Sequence, residues 1–262
     1  MKQITTLKTI GLLFLTCTFL NVSPAYAEKI TIAAAADMKY AMKDIVAAFQ
    51  QTVPKDTVEV VYGSSGHAFT QIQQGAPYDL YFAADINYPR ELGQKGFAAT
   101  EPKLYAIGRI TLWSSSRNAT TMSLKSLLAQ DIEHVAIANP KHAPYGKRAE
   151  EALRASGLWE KVEPKLVYGE NIVQTAQFVQ SGNAQVGIIA LSLVLNPELA
   201  GKGGYWLIPD SLHEPLEQAF IITKRAENNT LAQRFAKYME SKEARAIMIR
   251  YGFVLPGETA AK

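Results

Sequence analysis

The chain of 262 residues contains one cysteine, Cys17, and none after it. Everything beyond residue 17 is therefore without disulfides and without thiol chemistry. Strong charge of either sign is also missing, with 27 basic residues against 24 acidic ones and a formal net charge of +3. Such a balance argues against nucleic acid as a partner and against a strongly basic membrane-binding face. The histidines are His67, His134, His142 and His213, and they fall into no HExxH or other metal-ligand spacing. No GxSxG elbow surrounds a serine, and no Walker-type phosphate loop is present. No catalytic residue, no cofactor and no metal held as a free cation is expected from these absences.

The chain also lacks internal repeats, low-complexity tracts and an apolar run long enough to span a bilayer. The most apolar N-terminal stretch, Ile10 to Leu20, is too short for that. With Lys2 and Lys8 before it and Ala25-Tyr26-Ala27 after it, it reads as a secretory signal peptide over residues 1–27, cleaved before Glu28. Export would place the mature chain in the periplasm. Cys17 raises the alternative of a lipid-anchored envelope protein, but Thr16 before it and the apolar residues after it are poor for lipidation. Loss of the two leader lysines leaves the mature chain at +1. Its 235 residues can bury one large core or, more typically, two modest ones.

What is present is an alternation of short apolar runs with segments of helical period. "KITIAAAA" reads as a buried strand, and Met38, Met42, Ile45, Val46 and Phe49 then share one helical face. "TVEVVYG" and "DLYFAAD" are further strands, each followed by a helix, which implies parallel pairing with helices on both faces. "LYAIGRITLWSS" reads as one strand bent at Gly108, crossing from one lobe to another. "HVAIANP", "KLVYGE" and "QVGIIALSLVL" continue the strands, with helices over Tyr145–Ser156 and Ile172–Gln180. "YWLIP" and "QAFIITK" return as strands, and one long amphipathic stretch runs from Thr230. The expected fold is α/β with two lobes: 28–108 plus 217–262 forms the first and 109–216 the second. Each is a mostly parallel sheet flanked by helices, with a ligand cleft between the lobes.

Four turns share one design, in which a strand ends, small or polar residues follow and a helix begins. They are Ala36-Asp37, Gly63-Ser64-Ser65-Gly66, Pro144-Tyr145-Gly146 and Gly169-Glu170-Asn171-Ile172. Such turns gather at the carboxyl edge of a parallel sheet and present unpaired N–H groups at the positive end of a helix dipole. Ser, Asp and Asn are also ordinary helix caps, and each turn taken singly has that structural reading. Ser64 and Ser65 form the best single candidate. His67 and His142 read as a surface residue and a loop-shaping residue, Asp79 and Asp85 as turn or cap residues, and the three tryptophans as packing.

Four stretches carry a resemblance to a known family: "AAA" before a helix, "YGSSGHAFTQIQQGAPYDLYFAAD", "IANPKHAPYGKRAEEAL" and "IRYGFVLP". With the export signal, they resemble the periplasmic molybdate-binding proteins of ABC importers over essentially the whole mature chain. The resemblance implies a monomeric two-lobed protein that closes by hinge motion on molybdate or tungstate and delivers it to a membrane permease. Carried over by position, it implies hydroxyl donors at Ser65 with Ser64 beside it. Main-chain N–H groups would come from Tyr145 and from Ile172, whose helix starts at Asn171. Two positions depart from the pattern: the first serine of the family is Asp37 here, and its tyrosine falls on Ala190. A hydroxyl donor is thus replaced by a carboxylate where the anion would sit.

A dianion about 4 Å from an ionised Asp37 would be repelled by roughly 8 kcal/mol at an effective dielectric near 20. The carboxylate can escape this by capping its helix, by taking up a proton and donating it to the ligand, or by accepting a proton from the ligand. Proton sharing costs less than bare repulsion, so Asp37 is expected to line the site and make binding acid-favoured. Tyr145 is the substitute donor for the space left at Ala190. A protonatable oxyanion such as phosphate, arsenate or phosphite is the alternative ligand. A secreted hydrolase is the alternative of another class, and it would need a base for Ser65 that His67, two residues on, is badly placed to be.

Overall fold

The computed structural model describes residues 27–258. Cys17 and the apolar stretch Ile10–Leu20 of the expected leader lie outside the described residues. Ten strands form two five-stranded sheets. The first sheet contains β1 (Lys29–Ala35), β2 (Thr57–Gly63), β3 (Leu80–Ala83), β4 (Lys103–Gly108) and β10 (Leu216–Ile222). The second contains β5 (Ile110–Trp113), β6 (Val135–Ala138), β7 (Leu166–Gly169), β8 (Val186–Ala190) and β9 (Tyr205–Leu207).

Both sheets are mixed and follow one plan. The first runs β2-β1-β3-β10-β4 and the second β7-β6-β8-β5-β9. In each, the first two pairings are parallel and the last two antiparallel. The repeated strand–helix units thus build the parallel half, and the strand that returns from the other sheet adds the antiparallel half. β4 ends at Gly108 and β5 begins at Ile110, so the "LYAIGRITLW" run is two strands in two sheets rather than one bent strand. Only Arg109 lies between them, and the chain crosses back between β9 and β10.

The helices are α1 (Lys39–Thr52), α2 (Ser65–Gln73), α3 (Asn87–Gln94), α4 (Pro144–Ala155), α5 (Trp159–Val162), α6 (Ile172–Gln180), α7 (Leu191–Val194), α8 (Thr230–Tyr238) and α9 (Lys242–Arg250). Two expectations change here. The apolar run "QVGIIALSLVL" divides into β8 and α7, because strand length is reached at Ala190 and the chain then turns. The C-terminal amphipathic stretch is two helices, with Ser241 capping the second by accepting from Ala244 N–H. None of the helices among the described residues is long and apolar enough to cross a membrane.

Alternation along β1 explains the layering of the first sheet. Ile30, Ile32 and Ala34 face a core completed by Met42, Ile45, Phe49, Phe82 and Phe235. Ala33 faces the opposite layer with Tyr81, Leu92 and Ile221. Ala35, Ala36 and Ala84, at the strand ends, instead join the core cluster of the second sheet. Small side chains at this edge let the two sheets approach, which is what the alanine run accomplishes.

Candidate functional site

Where the strand ends of both sheets meet, a small cavity of about 10 Å³ is lined by Ala35, Ala36, Asp37, Gly63, Ser64, Ser65, Ala84, Ala143, Pro144, Tyr145, Asn171 and Ile172. Six of the seven residues singled out from the sequence therefore share one cavity. The seventh, Ala190, is fully buried at the end of β8 and is not among the lining residues. Its methyl group is too short to carry a polar contact, and the backbone there pairs with Ile110 across the sheet. The lining contains neither lysine nor arginine.

Three helices point their N-termini at this cavity, and their caps decide which N–H groups stay available. A helix leaves its first N–H groups without intrahelical acceptors. In α2, Ser64 Oγ accepts from His67 N–H at 3.4 Å and Gly66 N–H donates to the His142 carbonyl at 2.9 Å. The Ser65 N–H is what remains. In α6, Asn171 Oδ1 accepts from Val173 and Gln174 N–H at 3.0 and 3.1 Å, which leaves Ile172. In α4 the first residue, Pro144, has no N–H, and Ala143 offers no side-chain cap, so Tyr145 supplies the first donor. Ser65 Oγ accepts from Ala84 N–H at 2.9 Å, so its own proton is directed elsewhere. Uncharged donors fixed by packing in a dry cleft are the arrangement that stabilises an anion without reorganisation.

Asp37 stands in a short 3₁₀ turn between β1 and α1 and is 1% exposed. Its Oδ2 accepts from Tyr145 Oη at 2.9 Å and from Gln218 Nε2 at 2.8 Å. Gln218 also donates to Tyr145 Oη at 3.1 Å, and its Oε1 accepts from Tyr105 Oη at 2.7 Å. Asp37 Oδ1 is buried and has no partner among the described residues. Burial without a neighbouring cation raises the Asp37 pKa from 3.8 to about 6, against the opposing pull of Gln218, Tyr145 and the nearby main-chain amides. The same burial, with Asp37 close by, pushes the Tyr145 and Tyr105 phenols well above their ordinary range. Tyr145 is thus a hydroxyl donor, but to Asp37. Gly108 makes room for this network, since a Cβ there would lie 2.5 Å from Gln218 Nε2 and overlap the Tyr145 hydroxyl.

Asp37, Tyr145 and Gln218 tie the base of the cleft together, and other contacts join its flanks. Ser192 Oγ donates to the Asp37 carbonyl at 2.8 Å. Arg148, 6% exposed, reaches across to Asp85 at 3.7 Å while pairing with Glu151 at 2.8 Å. Asp85 also accepts from Asn87 N–H at 2.9 Å, a local turn of the kind expected of it. Asp79 accepts from Thr31 N–H at 2.7 Å and from Arg225 at 3.1 Å, and shares neither partner with Asp85. The rim holds what the sequence did not reveal. His67 and His142 stack with ring centroids 4.0 Å apart, and Glu170 approaches both. These residues are separated by 75 and 28 positions in the chain, so no local spacing could have announced them.

The comparisons with known proteins agree with this architecture. A family model described as bacterial extracellular solute-binding protein matches residues 30–254. The molybdate-binding protein ModA of Rhodobacter capsulatus is 36% identical over 232 residues, covering 88% of this chain and 90% of the relative. ModA of Azotobacter vinelandii is 35% identical over 235 residues, with 88% and 92% coverage. The solved periplasmic molybdate-binding protein of Azotobacter vinelandii superposes with a TM-score of 0.82 at 30% identity, over 87% of this chain and 99% of that one. Matched over nearly all its described length, and built as two sheets around a cleft lined by helix N-termini, this chain belongs to the bacterial extracellular solute-binding proteins.

Proposed function

We propose that the protein is the periplasmic component of an ABC importer and captures a tetrahedral oxyanion, molybdate or tungstate, as a monomer that closes like a hinge. The moving bodies are 28–108 plus 217–262 and 109–216, and the membrane permease of the importer receives the ligand. The observation that carries this reading is the convergence of three helix N-termini, two of them capped by side chains, and the Ser65 hydroxyl on one cavity that lacks any lysine or arginine. The identity to molybdate-binding proteins over most of the chain supports the choice of ligand. Binding is non-covalent, which needs no nucleophile or general base, and the family is one of solute-binding proteins rather than enzymes.

Asp37 sets the pH dependence of capture. An ionised carboxylate would repel the ligand, whereas a protonated one donates through the oxygen that otherwise has no partner. With the pKa near 6, protonation costs little below pH 6 and increasingly more above it. The groups facing this carboxylate are the Tyr145 hydroxyl and the Gln218 amide, with the Tyr105 phenol behind them, so no cation among the described residues pairs with it. The requirement for a proton makes binding about 50-fold weaker at pH 8 than at pH 6. Ala190 takes no direct part in this reading.

Isothermal titration of the purified protein with sodium molybdate at pH 6 and pH 8 tests both statements. One-to-one heat that weakens toward pH 8 is expected, with Asp37→Ser flattening the profile. Absence of heat at both pH values, in protein whose circular dichroism is intact, rejects molybdate. Phosphate, arsenate and phosphite are then titrated, because Asp37 can accept the proton that such ligands carry.

A further inference from the structure

The rim of the cleft holds a cluster that the oxyanion site does not use. His67 Nδ1 lies 3.9 Å from Glu170 Oε2, and His142 Nε2 lies 3.6 Å from the same oxygen. The three ligand atoms all lie within 4.8 Å of one another. We propose that His67, His142 and Glu170 form a binding site for a divalent transition-metal ion of the zinc type, which bridges the two lobes and holds the cleft closed.

The chemistry of the donor set fits such an ion. Two imidazoles and one carboxylate are the three-ligand set of open zinc sites, with a fourth position left to water. Nitrogen and oxygen ligands about 2.0–2.1 Å from a tetrahedral ion lie roughly 3.3–3.4 Å apart. The distances to Glu170 are within several tenths of an ångström of that. Convergence asks for rotation of Glu170 and of His67 out of its stack on His142, and their side chains are 64% and 51% exposed. His142 is the anchored member, at 17% exposure.

The outer contacts of His142 point the same way. Its Nδ1 lies 3.0 Å from Ser64 Oγ. A neutral ring that donates Nδ1–H to that hydroxyl keeps its lone pair on Nε2, the atom facing Glu170. A fixed hydrogen bond on the far nitrogen is the usual means of orienting a metal-binding imidazole. Among the described residues no lysine or arginine forms an ion pair with Glu170, which approaches only the two histidines.

Placement gives the site a consequence. His67 is on α2, over the first sheet, whereas His142 and Glu170 lie in the turns before α4 and α6, over the second. Gly66 N–H already donates to the His142 carbonyl across this seam. An ion held by residues of both lobes binds the closed form and not the open one, so it shifts the population toward closure. It would also place positive charge at the mouth. On the oxyanion reading above, the metal and the anion would then raise each other's affinity by the same factor.

The test uses zinc chloride alone, with no oxyanion present, so that its outcome is separate from the identity of the anion. Zinc is titrated into the purified full-length protein by calorimetry, and the radius of gyration is followed by small-angle X-ray scattering. Expected are one-to-one binding and a decrease in radius of gyration. His67→Ala, His142→Ala and Glu170→Gln should each weaken zinc binding by about ten-fold or more, at least the loss seen on removing outer-shell partners. His134→Ala, a change at an exposed histidine outside the cluster, should leave it unchanged. Absence of zinc binding, or binding that survives all three substitutions, overturns the proposal. Binding that requires the three residues without any change in radius of gyration overturns the bridging role. A molybdate titration of the three variants without zinc shows separately whether the anion site is intact.

Discussion

The base and the rim of one cleft both join the same two sheets, yet they do so under different physics. At the base, Asp37, Tyr145 and Gln218 are buried, and their hydrogen bonds run between 2.8 and 3.1 Å. At the rim, Glu170 and His67 are more than half exposed and meet at 3.9 Å. A charge at the base is poorly solvated, so its protonation state is a large energetic variable. A charge at the rim is screened by water, and its pairings contribute little unless an ion gathers them. On the readings proposed above, selectivity and pH response would belong at the base and a regulator of closure at the rim.

The contrast depends on the lobes reaching their observed separation, and Gly66 controls that. A Cβ at this position would lie 2.7 Å from the His142 carbonyl oxygen, where the backbone cannot yield. Gly66→Ala should hold the cleft ajar and weaken oxyanion binding on the order of 100-fold, about 2.7 kcal/mol. Calorimetry measures this, and a thermal midpoint close to wild type would locate the defect in closure rather than folding. Unchanged affinity would show that the seam around Gly66 is not part of the bound state.

Asp37→Asn sharpens the account of the base. The folded-state pKa of Asp37 is raised to about 6 from 3.8, so the native state binds more protons than the unfolded state between those values. Stability is then lost as pH rises through that window, by about 3 kcal/mol once both states are ionised. The asparagine variant keeps an acceptor for Tyr145 and Gln218 without the charge. It should be more stable than wild type by up to that amount at pH 8 and indistinguishable from it near pH 4, measured by urea denaturation. Equal stabilities at both pH values would remove the buried charge from the account.

Tyr145→Phe separates the phenol from the main-chain donor of the same residue. It removes one hydrogen bond to a carboxylate, about 1.5–3 kcal/mol when Asp37 is ionised and about 1 kcal/mol when it is neutral. Since the phenol favours the ionised form of Asp37, its loss should also move the midpoint of the pH profile of binding upward. Titration from pH 5 to 8 would show the shift; a midpoint below that of wild type would contradict the assigned direction. Smallest of all, Glu170→Gln without added metal should change stability by no more than about 0.5 kcal/mol, as expected for an exposed pair. A larger loss would mean that the rim behaves like the base.

Much of the framework was legible because it rests on local pattern. Alternation in "KITIAAAA", strand-length runs bounded by turns, and caps such as Ser64, Asn171 and Ser241 each follow from a few neighbouring residues. The errors came where local pattern has two continuations. "GIIALSLVL" is apolar throughout, and only packing ends the strand at Ala190 and starts a helix. The stretch from Thr230 keeps its helical period across a break that Ser241 enforces.

The sequence by itself determined the two α/β halves, the four strand-to-helix turns, and the carboxylate that stands where the family resemblance expects a hydroxyl. The first two follow from composition, periodicity and capping, which act over less than about twenty residues, and the third is what the resemblance implies. Tertiary structure decided what that carboxylate meets. Tyr145 and Gln218 are 108 and 181 positions away from Asp37, and only the sheet order brings them to its Oδ2. The pKa near 6 is likewise a property of the assembled cleft, because desolvation requires both walls. The rim cluster of His67, His142 and Glu170 has the same origin: three side chains without a shared motif become neighbours when two sheets close edge to edge.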